Sequence, residues 1–342
     1  MSLFTLCICY PTYNRGRIFI NDIKELLSNT DARFCIKIQD NNSDDGSFEE
    51  LSSINDSRLF IEQNPQNIGG ISNTNRVFYN CPDAEYILFC LDKDKVDKRF
   101  LSDFIDFLKA NNPHSGLINL YPSSEKRLFD IKKAGVESIE NTAYLSRHPS
   151  GSFWNKKELE SYIDKIDSNI TSTFPFWIDV LQANFALNHD SYIVYIPVII
   201  HAPFRKDYMA ARPKTLTYSE NNIYFSLKKR VEAYIYYMKD LEVRQIIQSD
   251  KERLTYKMLL RVLSLVTIGA IRAYGDEGNC WHYNVAPRKI TIKECLDNIK
   301  TVNKTFIYEV SPNLSIYRKT LFVLSSNLRV LLSLLKFYIF KY

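Results

Sequence analysis

The strongest constraint on this chain is a pattern repeated along its first hundred or so residues: a short apolar run stops abruptly at a cluster of polar, turn-forming residues. Leu3 to Tyr10 stops at Pro11-Thr12-Tyr13-Asn14-Arg15, Phe34 to Gln39 at Asp40-Asn41-Asn42-Ser43-Asp44-Asp45-Gly46, and Tyr86 to Leu91 at Asp92-Lys93-Asp94. Between them lie helix-like stretches, Ile18 to Leu27 and Ser72 to Tyr79, and a short extended run, Leu59 to Glu62, followed by a turn at Asn67, Gly69 and Gly70. Apolar runs alternating with helical stretches predict β-α-β units around a mostly parallel sheet flanked by helices. Ligands of open α/β sheets bind beyond the carboxyl ends of the strands, so the three polar clusters line one crevice if their strands are parallel neighbours.

The pattern continues more loosely through a helix at Lys98 to Lys109 and an extended run at Gly116 to Leu120, then a helix at Phe176 to Leu187 and a late strand at Tyr192 to Ile200. From about Tyr218 its character changes. Leu227, Val231, Tyr234, Met238 and Leu241 recur at spacings of four and three, which puts them on one helix face. A second helix is expected over Arg253 to Ala273, with a loop from Gly275 to Pro287. The expected organisation is an α/β domain over 1–215, in two halves that divide at about 120, and a helical region over 216–342. In the last stretch, 316–342, Ser325, Arg329, Ser333 and Lys336 form a thin polar stripe on an otherwise apolar helix. Such a helix suits the plane of a membrane interface, the last helix of a core, or a dimer contact; the two cations of that stripe, Arg329 and Lys336, count against a transmembrane span.

Composition excludes more than it selects. A net charge of +5 over 342 residues, without a basic face in the first two thirds, argues against nucleic acid as a partner. Seven cysteines with no C-x-x-C spacing indicate neither a disulfide framework nor a zinc motif, and fit a cytoplasmic protein. The opening apolar run lacks the basic flank and cleavage pattern of a secretion signal.

Asp92 and Asp94 are the first candidates for chemistry. In extended geometry, residues two apart point the same way, so both carboxylates can hold one hard cation, Mg2+ or Mn2+, together with substrate phosphates. A solvated turn is the ordinary reading of such a pair. Asp40 is either an Asx turn or an acceptor for the imide N–H of a pyrimidine base, on which Tyr13 can stack, with Arg15 within reach of phosphate. His201 and Arg205, after the late strand, are candidates for the diphosphate, although a satisfied structural histidine is the commoner role for His201.

C-Y-P-T-Y-N-R, I-Q-D-N-N-S-D-D-G-S, N-P-Q-N-I-G-G and Y-I-L-F-C-L-D-K-D, in that order, resemble glycosyltransferase family 2, an inverting group with the GT-A fold, and the bacterial O-antigen and capsule transferases within it. The resemblance implies a nucleotide-sugar donor, UDP- or dTDP-linked, held by Pro11, Thr12, Tyr13, Asn14, Arg15, Asp40, Asn42, Asn67, Gly69, Asp92, Lys93 and Asp94. It implies a divalent metal, manganese or magnesium, on Asp92 and Asp94, and an acceptor that is a saccharide or an undecaprenyl-diphosphate-linked saccharide. It places Gly151, Ser152, Phe153, Trp154 and Trp177 on the acceptor side. Lys95 stands where members often carry a third carboxylate, implying altered metal dependence.

Inverting transfer needs one carboxylate to take the acceptor's proton. Asp179 is the candidate, its alternative being a first-turn acid that favours the helix dipole. Such an enzyme is expected in the cytoplasm, with peripheral contact to the inner face of the cytoplasmic membrane. A nucleotidyltransferase would share the layout but requires a glycine-rich basic loop after the first strand, and a dinucleotide oxidoreductase requires G-x-G-x-x-G; neither is present. A scaffold of a membrane-bound assembly complex, with a degenerate α/β domain, is the non-catalytic alternative.

Overall fold

A computed structural model describes residues 3–121, 126–166, 174–211, 223–277, 280, 285–310 and 314–340. The chain divides into two compact units: Met1–Ala143 with Arg147–Arg212, and Tyr144–Ser146 with Pro213–Tyr342.

The first unit is built on an eight-stranded sheet. In chain order the strands are β1 (Phe4–Thr12), β2 (Phe34–Asp40), β3 (Leu59–Gln63), β4 (Ala84–Phe89), β5 (Lys95–Val96), β6 (Ser115–Ile118), β7 (Phe129–Lys132), β8 (Ser152–Asn155), β9 (Ser191–Val194) and β10 (Ile199–Ile200). The large sheet runs β3-β2-β1-β4-β8-β6-β9-β7, and β10 pairs with β5 in a separate two-stranded ladder. β3, β2, β1 and β4 are mutually parallel. β8 runs antiparallel to β4 and β6, and β7 antiparallel to β9. The sheet is therefore mostly parallel, as the alternating sequence pattern requires. β1 lies inside the sheet between β2 and β4, all nine of its residues being buried, and an apolar run of that length is what a strand covered on both faces needs.

Helices α1 (Gly16–Leu27), α2 (Ser47–Ser52), α3 (Gly70–Arg76), α4 (Lys98–Asn111), α5 (Val136–Thr142), α6 (Lys156–Ile163), α7 (Trp177–Asn188) and α8 (Lys206–Ala211) complete the unit. α1 buries Phe19, Ile20, Ile23 and Leu26, and α4 buries Leu101, Phe104, Ile105 and Leu108. Both sets repeat at three and four residues, the stripe a helix lays against a sheet. Each such side chain contributes about 1.5–3 kcal/mol by leaving water. Asp97 caps α4 by accepting from the Arg99 backbone N–H.

The late strand expected over Tyr192 to Ile200 is two strands. Pro197 lies between them and cannot donate to a ladder; β9 stays in the large sheet while β10 crosses to β5. The small-residue run at Ser150 to Trp154 leads into β8, whose antiparallel pairing with β4 decides the site geometry described below.

The second unit is helical in its described residues: α9 (Leu227–Val243), α10 (Gln248–Ser264, continued through a π turn, Leu265–Gly269, as far as Gly275), α11 (Ile292–Thr305) and α12 (Ile316–Phe340). Tyr144 donates to Asp240, and Arg230 reaches the Ser146 carbonyl at 2.9 Å, which ties the short 144–146 segment into this unit. Tyr218, parts of the 275–287 loop, and the last two residues of the chain lie outside the described residues.

Two helices, Gln248–Gly275 and Ile316–Ile339, are long and apolar enough to cross a membrane, with mean hydropathies of 1.5 and 1.4. They differ in burial: half of the apolar window is covered in the first but only 17% in the second. α12 packs through Ser326, Val330 and Leu334, whereas Leu324, Leu328, Leu332 and Leu335 are 50–63% exposed.

Candidate active site

The site is built from loops that leave β1, β2, β3 and β4 on one edge of the sheet. Thr12 and Asp40 are register partners at the ends of β1 and β2, and the strand order reverses direction at β1, which has β2 on one side and β4 on the other. That is the switch point where an α/β sheet opens a crevice.

Side-chain amides tie the loops together. Asn14, in the left-handed region at φ 49°, donates from its side chain to Asp44 at 2.8 Å and from its backbone N–H to Ser43 at 2.9 Å. Asn41 donates to Asn67 at 2.9 Å and accepts from the Ile68 N–H, while Asn67 accepts from the Gly69 N–H. Asn73 reaches the carbonyls of Thr12 and Gln39, joining α3 to both strand ends. Asn is favoured here because its amide supplies both donor and acceptor and because it tolerates φ > 0. Asn42 (φ 62°) is exposed beside this network, and Tyr13 is half-buried.

Asp40 is 1% exposed and accepts from the Ser43 N–H and hydroxyl and from the Gln63 amide. It therefore has the Asx turn, and its place at the end of β2 beside Thr12 keeps it at the floor of the crevice.

Asp92 and Asp94 do not share a direction. The Asp94 N–H donates to the Leu91 carbonyl at 2.9 Å, so the chain turns after β4 instead of staying extended, and the alternation rule on which the paired-carboxylate reading rested does not apply. Asp92 faces Arg15, whose Nε lies 2.9 Å from Oδ1. Asp94 is 1% exposed and lies between two imidazoles: His148 Nε2 is 2.5 Å from Oδ2 and His201 Nδ1 is 2.8 Å from Oδ1. The Ser150 hydroxyl and the Ala202 N–H also donate to it.

Two strand pairings cause this convergence. β5 and β10 are antiparallel with Lys95 opposite Ile200, so one step along each chain brings Asp94 to His201. β8 and β4 are antiparallel with Leu88 opposite Phe153; three steps on, Leu91 meets Ser150, and the next turn delivers His148.

Burial by itself would raise the Asp94 carboxyl, but the flanking His148 and His201 hold it well below the usual carboxylate range. Burial also holds His148 down at about 4, against the opposing pull of Asp94. At neutral pH the site then offers an ionised carboxylate beside an imidazole that keeps a free lone pair, the protonation state that a metal ion requires. The ligand atoms of Asp94, His148 and His201 lie within 4.8 Å of one another. The two bonded separations approach the ~3 Å expected between neighbouring ligands of an ion with bonds of about 2.1 Å. The residues fit a divalent cation. Neither histidine was legible as a ligand from spacing, since 54 and 107 residues separate them from Asp94.

The remaining candidates are placed as follows. Arg205 is buried, its guanidinium bonded to Asp22 at 2.7 Å, to Asp207, and to the Lys93 carbonyl at 3.2 Å, so it braces the Asp92-Lys93-Asp94 turn from behind. Asp22, in α1, is raised to about 6 by burial, which Arg205 partly offsets. Lys95 turns to Glu25 at 2.6 Å and away from Asp94. Gly151 takes φ 86°, and a Cβ there would meet Ile118 at 3.1 Å. Ser152 accepts from Arg147. Phe153 and Trp154 are fully buried: Phe153 packs on Phe104, and Trp154 donates to Gln182 at 2.9 Å. Trp177 meets Phe78 edge-on, and Phe78 in turn packs on Phe89, the last residue of β4. Asp179 is 4% exposed in the first turn of that helix.

The family model for glycosyl transferase family 2 matches residues 7–172. No curated protein matches by sequence. Solved structures share the fold. The crystal structure of S. aureus TarS 1-349 superposes with a TM-score of 0.55 at 13% identity, over 89% of this chain and 91% of that one. The same fragment in complex with UDP-GlcNAc gives 0.55 at 14% over 92% and 94%. S. aureus TarS at greater length gives 0.57 at 12% over 96% of this chain, which spans only 54% of that protein. Residues 7–172 therefore belong to glycosyl transferase family 2, and the chain that carries them is a glycosyltransferase with a GT-A-like α/β domain.

Proposed function

We propose that this enzyme moves a sugar, with inversion, from a nucleotide diphosphate donor to a saccharide or lipid-linked saccharide, in the assembly of a bacterial surface polysaccharide such as O-antigen or capsule. The observation that carries this reading is the buried Asp94 carboxylate held between His148 and His201 at the end of β4. Asp94, His148 and His201 would hold a divalent cation, Mn2+ or Mg2+, which would neutralise charge on the departing diphosphate. Two imidazoles favour Mn2+ over Mg2+, which prefers oxygen ligands.

The other steps fall to the chain. Tyr13 and Asp40 receive the base, Asn14, Asn42, Asn67 and Gly69 shape the loops around it, and Arg15, set by Asp92, faces the phosphates. Arg205 holds the Lys93 carbonyl and so keeps the metal-side turn in place. Asp179 takes the proton of the acceptor hydroxyl as its oxygen attacks the anomeric carbon from the face opposite the diphosphate. Gly151 to Trp154 and Trp177 form the frame of the acceptor side. TarS, which shares the fold, has been crystallised in complex with UDP-GlcNAc, so UDP-sugars are the first donors to test, with dTDP-sugars next.

The exposed leucines of α12 and its cations Arg318, Lys319, Arg329 and Lys336, with no acidic residue between Ile316 and Phe340, suit an anionic membrane surface. A lipid-linked acceptor at the inner face of the cytoplasmic membrane accounts for that surface.

The test is release of nucleoside diphosphate from a panel of nucleotide sugars, with Mn2+ or with EDTA, followed by NMR of the transferred sugar's anomeric configuration. Metal-dependent release with an inverted product supports the reading. A retained product removes Asp179 from the mechanism, and no turnover of any nucleotide sugar overturns the reading.

A further inference from the structure

A second cluster stands at the opposite edge of the sheet. His114 immediately precedes β6 and His189 lies two residues before the start of β9, so both sit at the amino-terminal ends of strands that run parallel to β4, away from the crevice. Glu158, in the first turn of α6, lies between them. His114 Nδ1 is 2.6 Å from Glu158 Oε1, and His189 Nε2 is 3.7 Å from Oε2. The two rings stack 3.9 Å apart at an interplanar angle of 15°, edges toward the same carboxylate.

An ion pair does not account for this arrangement. Glu158 Oε2 is buried and accepts no hydrogen bond, which is costly for a charged oxygen. The 3.7 Å gap to His189 is too long to satisfy it. The cluster has three ligand atoms within 4.8 Å of one another and one carboxylate oxygen that accepts no hydrogen bond.

We propose that His114, Glu158 and His189 bind a divalent cation of the zinc class. Two imidazoles and one carboxylate, with water as fourth ligand, are a set that Zn2+ accepts and that Mg2+ and Ca2+ do not favour. The His114 side chain is 44% exposed, which leaves a way in. The ion joins the α4–β6 turn, the start of α6 and the end of α7, and so anchors the helix whose other end carries Asp179. The site shares no residue with the Asp94 cluster.

The experiment is titration of Zn2+ against a chromophoric chelator, using the EDTA-stripped full chain. A His148→Ala/His201→Ala variant isolates this site from the crevice and is expected to bind one Zn2+ and to melt at a higher temperature with it. Glu158→Gln in that background, which preserves size and helix position, is expected to weaken binding more than about 100-fold, beyond the 10–100-fold typical of losing an outer partner. His189→Cys, which keeps a zinc ligand, is expected to restore part of it. In an otherwise native chain, His114→Ala/His189→Ala is expected to lose one Zn2+ while leaving metal-dependent UDP binding intact, so failure here is separable from failure of the donor site. Unchanged Zn2+ stoichiometry and affinity in Glu158→Gln would overturn the proposal.

Discussion

The carboxylate of Asp94 and the imidazole of His201 lie 2.8 Å apart although 107 residues separate them in the chain. Only the β5–β10 ladder makes them neighbours, because Lys95 and Ile200 are register partners. Breaking that contact tests the donor site without touching its loops. His201→Ala is expected to leave the unit folded and to weaken Mn2+-dependent binding of a nucleoside diphosphate more than about 100-fold, since loss of even an outer partner costs 10–100-fold. Calorimetry at fixed Mn2+ measures it, and an unchanged affinity would remove His201 from the ligand set.

Asp179 separates binding from chemistry. Asp179→Asn keeps the size of the first-turn side chain in α7 but cannot accept a proton. The expected result is a fall in kcat of about 10²–10⁴-fold, the usual contribution of a general base, with donor affinity unchanged. An active Asn variant assigns the residue to helix-dipole stabilisation alone.

Gly116 in β6 tests the packing of the acceptor side. A Cβ there would lie 2.3 Å from the Phe153 ring and 2.5 Å from the Tyr192 carbonyl oxygen, and the second of these is backbone that cannot move aside cheaply. Gly116→Ala is expected to destabilise the protein by ~1–3 kcal/mol or more through overpacking. Urea denaturation measures this, and a neutral result would contradict the close β6–β9 approach.

The exposed face of α12 is separable from its buried face. Leu324→Glu, Leu328→Glu and Leu335→Glu change residues 63%, 61% and 58% exposed while leaving Ser326, Val330 and Leu334 in place. The triple variant is expected to stay folded and to lose co-sedimentation with anionic phospholipid vesicles; full retention on the vesicles would contradict a membrane-facing α12.

Asp31 gives a pH test. Hydrogen bonds from the Arg33 guanidinium, against a smaller opposing effect of burial, hold its carboxyl down at about 2. The folded value lies below the unfolded one, so this stabilisation is complete above about pH 4 and is lost as pH falls toward 2. Because Arg33 is 42% exposed, the effect is on the order of 1 kcal/mol. Asp31→Asn should flatten stability across that window; an unchanged acid limb would place the effect elsewhere.

Much of the first hundred residues was legible because the signal there is local. An apolar run ending in turn formers is a buried parallel strand with a loop at its carboxyl end, and β1, β2 and β4 follow that rule. The metal-side chemistry was not legible, since His148 and His201 reach Asp94 only through strand pairings that no spacing encodes. The expected pairing of Asp92 with Asp94 failed for a related reason: the alternation rule holds in a strand, and the Leu91–Asp94 turn had already ended it. Phe153, Trp154 and Trp177 carry an aromatic signal that reads alike for core and for sugar contact, and only burial distinguishes the two. His114, Glu158 and His189 meet at the ends of three elements and leave no mark in sequence.

The most direct measurement is calorimetric titration of UDP, dTDP and GDP into the full chain and into Asp94→Asn, each with Mn2+ and with EDTA. At least one nucleotide is expected to bind the wild-type chain only with Mn2+, and none to bind the variant. Equal binding with EDTA, or retention of Mn2+-dependent binding by Asp94→Asn, would contradict it.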